Sequence, residues 1–220
     1  MPLLFSNVSA ASLRKASAMD LINHAMWSFG AVFFSEFGDK SQLLTLMLAV
    51  RFRRKTPIAL GLLAGVFLNH LIAAVAGATL SGFINSEIVP KAMGGLFILM
   101  GLWMLWALRP GKKEEQSEAD EECAQNENKL GKLEKRGAFL TAGVLFFLSE
   151  MGDKTQITAA MLGAQFGSVL PVVAGSAAAV VSANLLPLFF GPWIARRVSE
   201  RALRFVGALV FLALGAGALI

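Results

Sequence analysis

Ser35-Glu36-Phe37-Gly38-Asp39-Lys40-Ser41-Gln42 interrupts a stretch that is otherwise apolar from Asn23 to Val50, and its reading decides the fold. It recurs as Ser149-Glu150-Met151-Gly152-Asp153-Lys154-Thr155-Gln156, again inside an apolar stretch. Apolar runs of about 20 residues are the signature of membrane-spanning helices. A charged side chain at bilayer depth costs about 2.5–3.5 kcal/mol on insertion scales. A chain that places Glu, Asp and Lys there twice, in matched order, implies a site that handles ions.

Outward from the two copies, the halves match at a fixed offset of 114 residues. The offset pairs Phe33 with Phe147, Met47 with Met161, Pro57 with Pro171, Gly61 with Gly175, Gly77 with Gly191, Phe97 with Phe211 and Gly101 with Gly215. Hydropathy predicts spans at Asn23–Val50, Pro57–Leu80, Ile88–Leu108, Gly137–Gly163, Val169–Ala195 and Ala202–Ile220. Three spans per repeat is odd, so the second repeat enters the membrane from the opposite side. The expected fold is an all-α integral membrane protein, with six transmembrane helices as two inverted-topology three-helix repeats. Its expected divisions are a mobile N-terminal tail (1–22), a first repeat (23–108), a charged cytoplasmic linker (109–136) and a second repeat (137–220). The linker mixes acidic and basic residues with almost nothing to bury, and reads as solvated and disordered.

Composition supports a membrane protein. Hydrophobic residues make up 55% and charged residues 16%, and the mean hydropathy is +0.61, far from the soluble average. A net charge of +5 invites a nucleic-acid reading, but the basic residues flank apolar spans. They concentrate in the connectors 51–55, 109–136 and 196–204, against Arg14, Lys15 and Lys91 on the other side. The positive-inside rule makes those connectors cytoplasmic and puts both termini outside. Cys123 is alone, which excludes a disulfide framework and a paired-cysteine metal site.

On a continuous helix Glu36 and Asp39 share a face, as do Glu150 and Asp153, and Gln42 and Gln156 extend each row. Inverted symmetry would bring the two faces together near the midplane. Four carboxylates, two amides and the hydroxyls of Ser35, Ser41, Ser149 and Thr155 would converge. This all-oxygen set suits Mn²⁺, Ca²⁺ or Mg²⁺ and is poor for Zn²⁺ or Cu(I). Lys40 and Lys154 follow the glutamates in the favourable i,i+4 order. Four carboxylates and two ammoniums leave a charge of −2, which one divalent cation or two protons would neutralise. Crowded carboxylates take up protons when a cation leaves, so the expected chemistry is exchange of one divalent cation for about two protons.

The paired Glu-x-Gly-Asp-(Lys/Arg)-(Ser/Thr) motifs, the six spans and the charged central loop resemble the cation/proton exchanger family of the lysine-exporter superfamily. That family includes eukaryotic Golgi manganese and calcium transporters as well as bacterial and plastid members. The resemblance covers about residues 23–220 and implies divalent-cation antiport; among bacterial members it implies manganese efflux across the inner (plasma) membrane. Matched by motif, the cation-binding acids would be Glu36, Asp39, Glu150 and Asp153. Mn²⁺ or Ca²⁺ would be cargo, with no resident cofactor, and the expected partners are the cation, protons and the lipid bilayer. No nucleic acid is expected, and a homo-oligomer is left open.

Other readings predict different features. An intramembrane aspartyl protease needs two Asp sharing one proton, whereas each Asp here comes with a Glu and a Lys. A channel needs a site that ions leave readily, without proton coupling. A purely structural role would make each motif a buried salt bridge, which two matched copies disfavour. His70, paired by the offset with Asn184, reads first as a helix-packing hydrogen bond and second as a proton relay. His24 reads as interfacial, and Met151 as a packing residue.

Overall fold

The computed structural model describes residues 17–36, 40–52, 54–82, 88–108, 129–131, 133–197 and 200–219. Among them the chain is all helical, with no strand. In chain order the α-helices are α1 (Ala18–Glu36), α2 (Lys40–Arg51), α3 (Lys55–Ser81), α4 (Ile88–Ala107), α5 (Ala138–Ser149), α6 (Lys154–Phe166), α7 (Val169–Arg197) and α8 (Glu200–Leu219).

Helix α1 starts ahead of the expected Asn23 because Ser17 and Asp20 form a capping box. The Ser17 N–H donates to Asp20 Oδ2 (2.9 Å) and the Asp20 N–H donates to Ser17 Oγ (3.2 Å). Hydrogen bonding to the carboxyl from the Ser17 backbone N–H, and then from its hydroxyl, holds Asp20 below the usual carboxylate range. Residues 1–16 of the expected tail lie outside the described residues, as do 109–128 of the linker. Past that point the linker does bury side chains: Leu130 sits in the core and Leu133 packs against it. The Thr141 hydroxyl also donates to Leu133 O (2.8 Å).

One expected span is divided in two: Gly137–Gly163 falls into α5 and α6, with the second motif copy at the division, while Asn23–Val50 is covered by α1 and α2, with residues 37–39 outside the described residues. Among the described residues, two stretches, Lys55–Ser81 and Val169–Leu186, are long and apolar enough to cross a membrane. Shorter apolar helices run over Ser41–Arg51, Lys91–Ala107, Ala138–Ser149 and Phe205–Leu219.

The main helix contacts are reciprocal under the offset of 114, although the packing of α1 on α8 has no comparable counterpart between α5 and α4 among the described residues. Helix α1 packs on α7 and α5 on α3; α2 packs on α7 and α6 on α3; α4 packs on α8. Close approach depends on missing side chains. A Cβ on Gly61 would strike the backbone oxygen of Phe139, and one on Gly175 would strike that of Ala25, the residue equivalent to Phe139. Gly101 faces Ala208 and Leu212, and Gly215 faces their equivalents Gly94 and Ile98. Phe97 meets its own equivalent, Phe211, at 5.7 Å between ring centroids.

The polarity of the fold suits lipid better than water. Ser35, Glu36, Asn69, His70, Glu150 and Asn184 are buried, while Leu60, Leu68, Ile72, Leu99, Leu170 and Phe189 are at least half exposed. Apolar outer faces on this scale mark membrane or partner contact in a folded protein.

Candidate metal centre

Glu36 is the last described residue of α1, and Glu150 caps the C-terminus of α5. In the second copy the chain leaves the helix at Glu150, turns through Gly152 with φ +80°, and enters α6 with Asp153 as an extended N-cap. That positive φ is one glycine adopts without strain. The expectation of Glu150 and Asp153 on one continuous helical face is therefore corrected: a turn, not a helical i,i+3 row, brings them together. The turn closes when the Gly152 N–H donates to Gln156 Oε1 (2.7 Å). A helix C-terminus carries partial negative charge and an N-terminus partial positive charge, so the division suits both a cation and the carboxylates that hold it.

One hydroxyl meets the glutamate of each copy. The Ser41 hydroxyl donates to Glu36 Oε1, linking α1 to α2. Its equivalent, the Thr155 hydroxyl, donates to Glu150 Oε2 (2.6 Å) and lies 3.5 Å from Asp153 Oδ2. Ser35 and Ser149 instead donate back into their own helices, to Val32 O (2.8 Å) and Phe146 O (3.3 Å).

Glu36, Glu150 and Asp153 converge, with one carboxylate oxygen from each within 4.8 Å of the others. Oxygens on opposite sides of one ion, bonded at about 2.3–2.6 Å, lie at most about 5 Å apart. The cluster is thus compact enough to share a single divalent cation. Gln156 spends its carbonyl oxygen on the turn, and Gln42 is half-buried on α2. Asp39, with Phe37 and Gly38, lies outside the described residues; Lys40 and Lys154 are the first residues of α2 and α6. Met151 is more than half exposed rather than packed inside.

Sequence reading missed Asn184. Fully buried on α7, it donates from Nδ2 to Glu36 Oε1 (3.1 Å) and accepts at Oδ1 from the Thr45 hydroxyl (2.8 Å). The only sequence signal was its pairing with His70. His70 is also fully buried, and its Nδ1 hydrogen-bonds the Ser176 hydroxyl at 2.9 Å, a helix-packing bond between α3 and α7.

The two ends of the molecule differ. The His24 ring stacks on Phe166 at 4.2 Å and 5°. Their equivalents, Ala138 and Phe52, line a cavity of about 410 Å³ together with Arg54 and Arg136.

Comparison with known proteins adds the following. The family described as divalent cation/proton antiporter GDT1 matches residues 24–112 and 138–220. A Vibrio cholerae protein named "Putative manganese exporter" is 30% identical over 186 residues, covering 84% of each chain. A Synechocystis GDT1-like protein is 28% identical, covering 80% of this chain and 87% of its own. GDT1-like protein 3 of Arabidopsis thaliana is 26% identical, covering 94% and 74% respectively. No solved structure gives a significant match.

Proposed function

Because the chain belongs to the divalent cation/proton antiporter family GDT1, a family of membrane transporters and not of enzymes, we propose that it exports Mn²⁺ from the cytoplasm in exchange for protons by alternating access. The observation that carries this reading is the convergence of Glu36, Glu150 and Asp153 within 4.8 Å. Carboxylate oxygens at that spacing bind a hard divalent cation, and vacated acids in a dry interior take protons in its place. The cargo reading of Mn²⁺ is supported by the name of the Vibrio cholerae relative. Ca²⁺ is the competing cargo, since the same oxygens accept it.

Alternating access rests on two repeats that rock about a central site. Six spans in two inverted repeats are supported by the reciprocal contacts of Gly61 with Phe139 and Gly175 with Ala25, and by the self-paired Phe97 and Phe211. The unequal ends support a cytoplasm-facing conformation: His24 stacks on Phe166 at the end expected outside, and the cavity with Arg54 and Arg136 lies at the end expected inside. Both termini then face outward, in a bacterial inner membrane.

Expression in a bacterium lacking its own manganese exporter tests the reading. Wild type should lower cell-associated Mn²⁺ and restore growth in high Mn²⁺, and Glu36→Gln should do neither. Rescue by Glu36→Gln at equal expression would contradict it.

A further inference from the structure

Asn184 is costly where it stands. A primary amide in an apolar interior is tolerated only when its donors and acceptor are engaged. Here Nδ2 shares its two protons among Glu36 Oε1 (3.1 Å), Ser41 Oγ (3.3 Å) and Val180 O (3.0 Å), and Oδ1 accepts from Thr45 Oγ1 (2.8 Å), whose single proton is shared with Ser41 O at 3.0 Å. The orientation is specified. A flipped amide would turn its carbonyl oxygen toward the Glu36 carboxylate and the Val180 carbonyl, an acceptor facing two acceptors. One side chain on α7 thereby fixes the Glu36 carboxylate of α1 and the Ser41 hydroxyl of α2.

Helix packing does not account for this. The contact of α1 with α7 is already made by Gly175 against Ala25, and an apolar residue at 184 would serve packing without an amide to satisfy. Nor does the residue equivalent to Asn184 repeat the arrangement. The equivalent residue, His70, spends Nδ1 on Ser176, and its Nε2 is buried without a hydrogen-bond partner. Glu36 is therefore tied to α7 by a bond that His70 does not supply to Glu150.

We propose that Asn184 is a positioning residue of the cation site: its amide, oriented by Thr45, holds the Glu36 carboxylate in place and sets the affinity for the transported cation. The inference rests on the reading of Glu36 as a cation ligand. Outer partners of metal-binding carboxylates typically control about 10–100-fold in affinity.

The test is Mn²⁺ uptake by the full-length protein in liposomes under an imposed pH gradient, measured across Mn²⁺ concentrations. Asn184→Ala should raise KM about tenfold or more while kcat changes little. Thr45→Val should shift KM in the same direction, and Thr45→Ser, which keeps the hydroxyl, should restore it. The double variant should be no worse than Asn184→Ala, because both residues act through one chain of bonds. Ser176→Ala removes another buried hydroxyl from α7 and should leave KM unchanged. An unaltered KM in Asn184→Ala, or an equal rise in Ser176→Ala, overturns the proposal. Should Asn184→Ala fail to insert, an unaltered KM in Thr45→Val overturns it alone. If wild type moves no Mn²⁺ the failure lies instead with the proposed function, and if Glu36→Gln keeps the wild-type KM it lies with Glu36 as ligand.

Discussion

The carboxylates of Glu36 and Glu150, equivalent residues of two motif copies 114 positions apart, approach within 4.8 Å of each other. Like charges held that close in a dry interior repel strongly unless a cation or protons sit between them. Glu150→Gln should therefore cost Mn²⁺ binding more than the roughly 10–100-fold typical of an outer partner, as read by calorimetric titration of the purified protein. Asp153→Asn should behave alike. Wild-type binding in either variant would remove that residue from the site.

Gly61 and Gly175 lie where helices touch backbone to backbone. Gly61→Ala should destabilise the protein by about 1–3 kcal/mol, the usual cost of overpacking. Gly30 has open space around its missing Cβ, so Gly30→Ala should be neutral or stabilising by up to about 1 kcal/mol. Thermal unfolding in detergent orders the two. Equal melting temperatures would contradict the close α3–α5 contact.

The turn at Gly152 carries φ +80°. Forcing an L-residue into the left-handed region costs about 1–2 kcal/mol, and here the strain falls between Glu150 and Asp153. Gly152→Ala should lower the melting temperature and also shrink the stabilisation that added Mn²⁺ confers. A lowered melting temperature with a full Mn²⁺ response would separate the turn from the site.

The proposed topology puts Ser17 outside and Lys129 in the cytoplasm. In a background with Cys123 replaced, a cysteine at position 17 should react with a membrane-impermeant thiol reagent on intact cells. One at position 129 should react only after permeabilisation. The reverse pattern would invert the orientation and with it the direction of export.

Much of this was legible in the chain because it rests on local residue type. The doubled motif, the offset of 114, the apolar runs and Pro57 and Pro171 in the first turns of α3 and α7 are all readable positions. The helix division between Glu150 and Asp153 was not. A helical i,i+3 reading of Glu150 and Asp153 and a turn through Gly152 place the same two acids together, and sequence spacing cannot separate them. Asn184 was hidden for another reason: a lone amide in an apolar helix has no pattern, and its role emerges only when α7 packs on α1. The burial of Leu130 was masked by the charges around it, which outvote one leucine in any compositional reading.

Flux in liposomes holding the purified protein tests the central claim most directly, with Mn²⁺ and internal pH followed together under an imposed pH gradient. The account predicts Mn²⁺ movement against proton movement, reversed when the gradient is reversed and abolished in Glu36→Gln and Asp153→Asn. Mn²⁺ flux indifferent to the pH gradient, or undiminished in those variants, would contradict it.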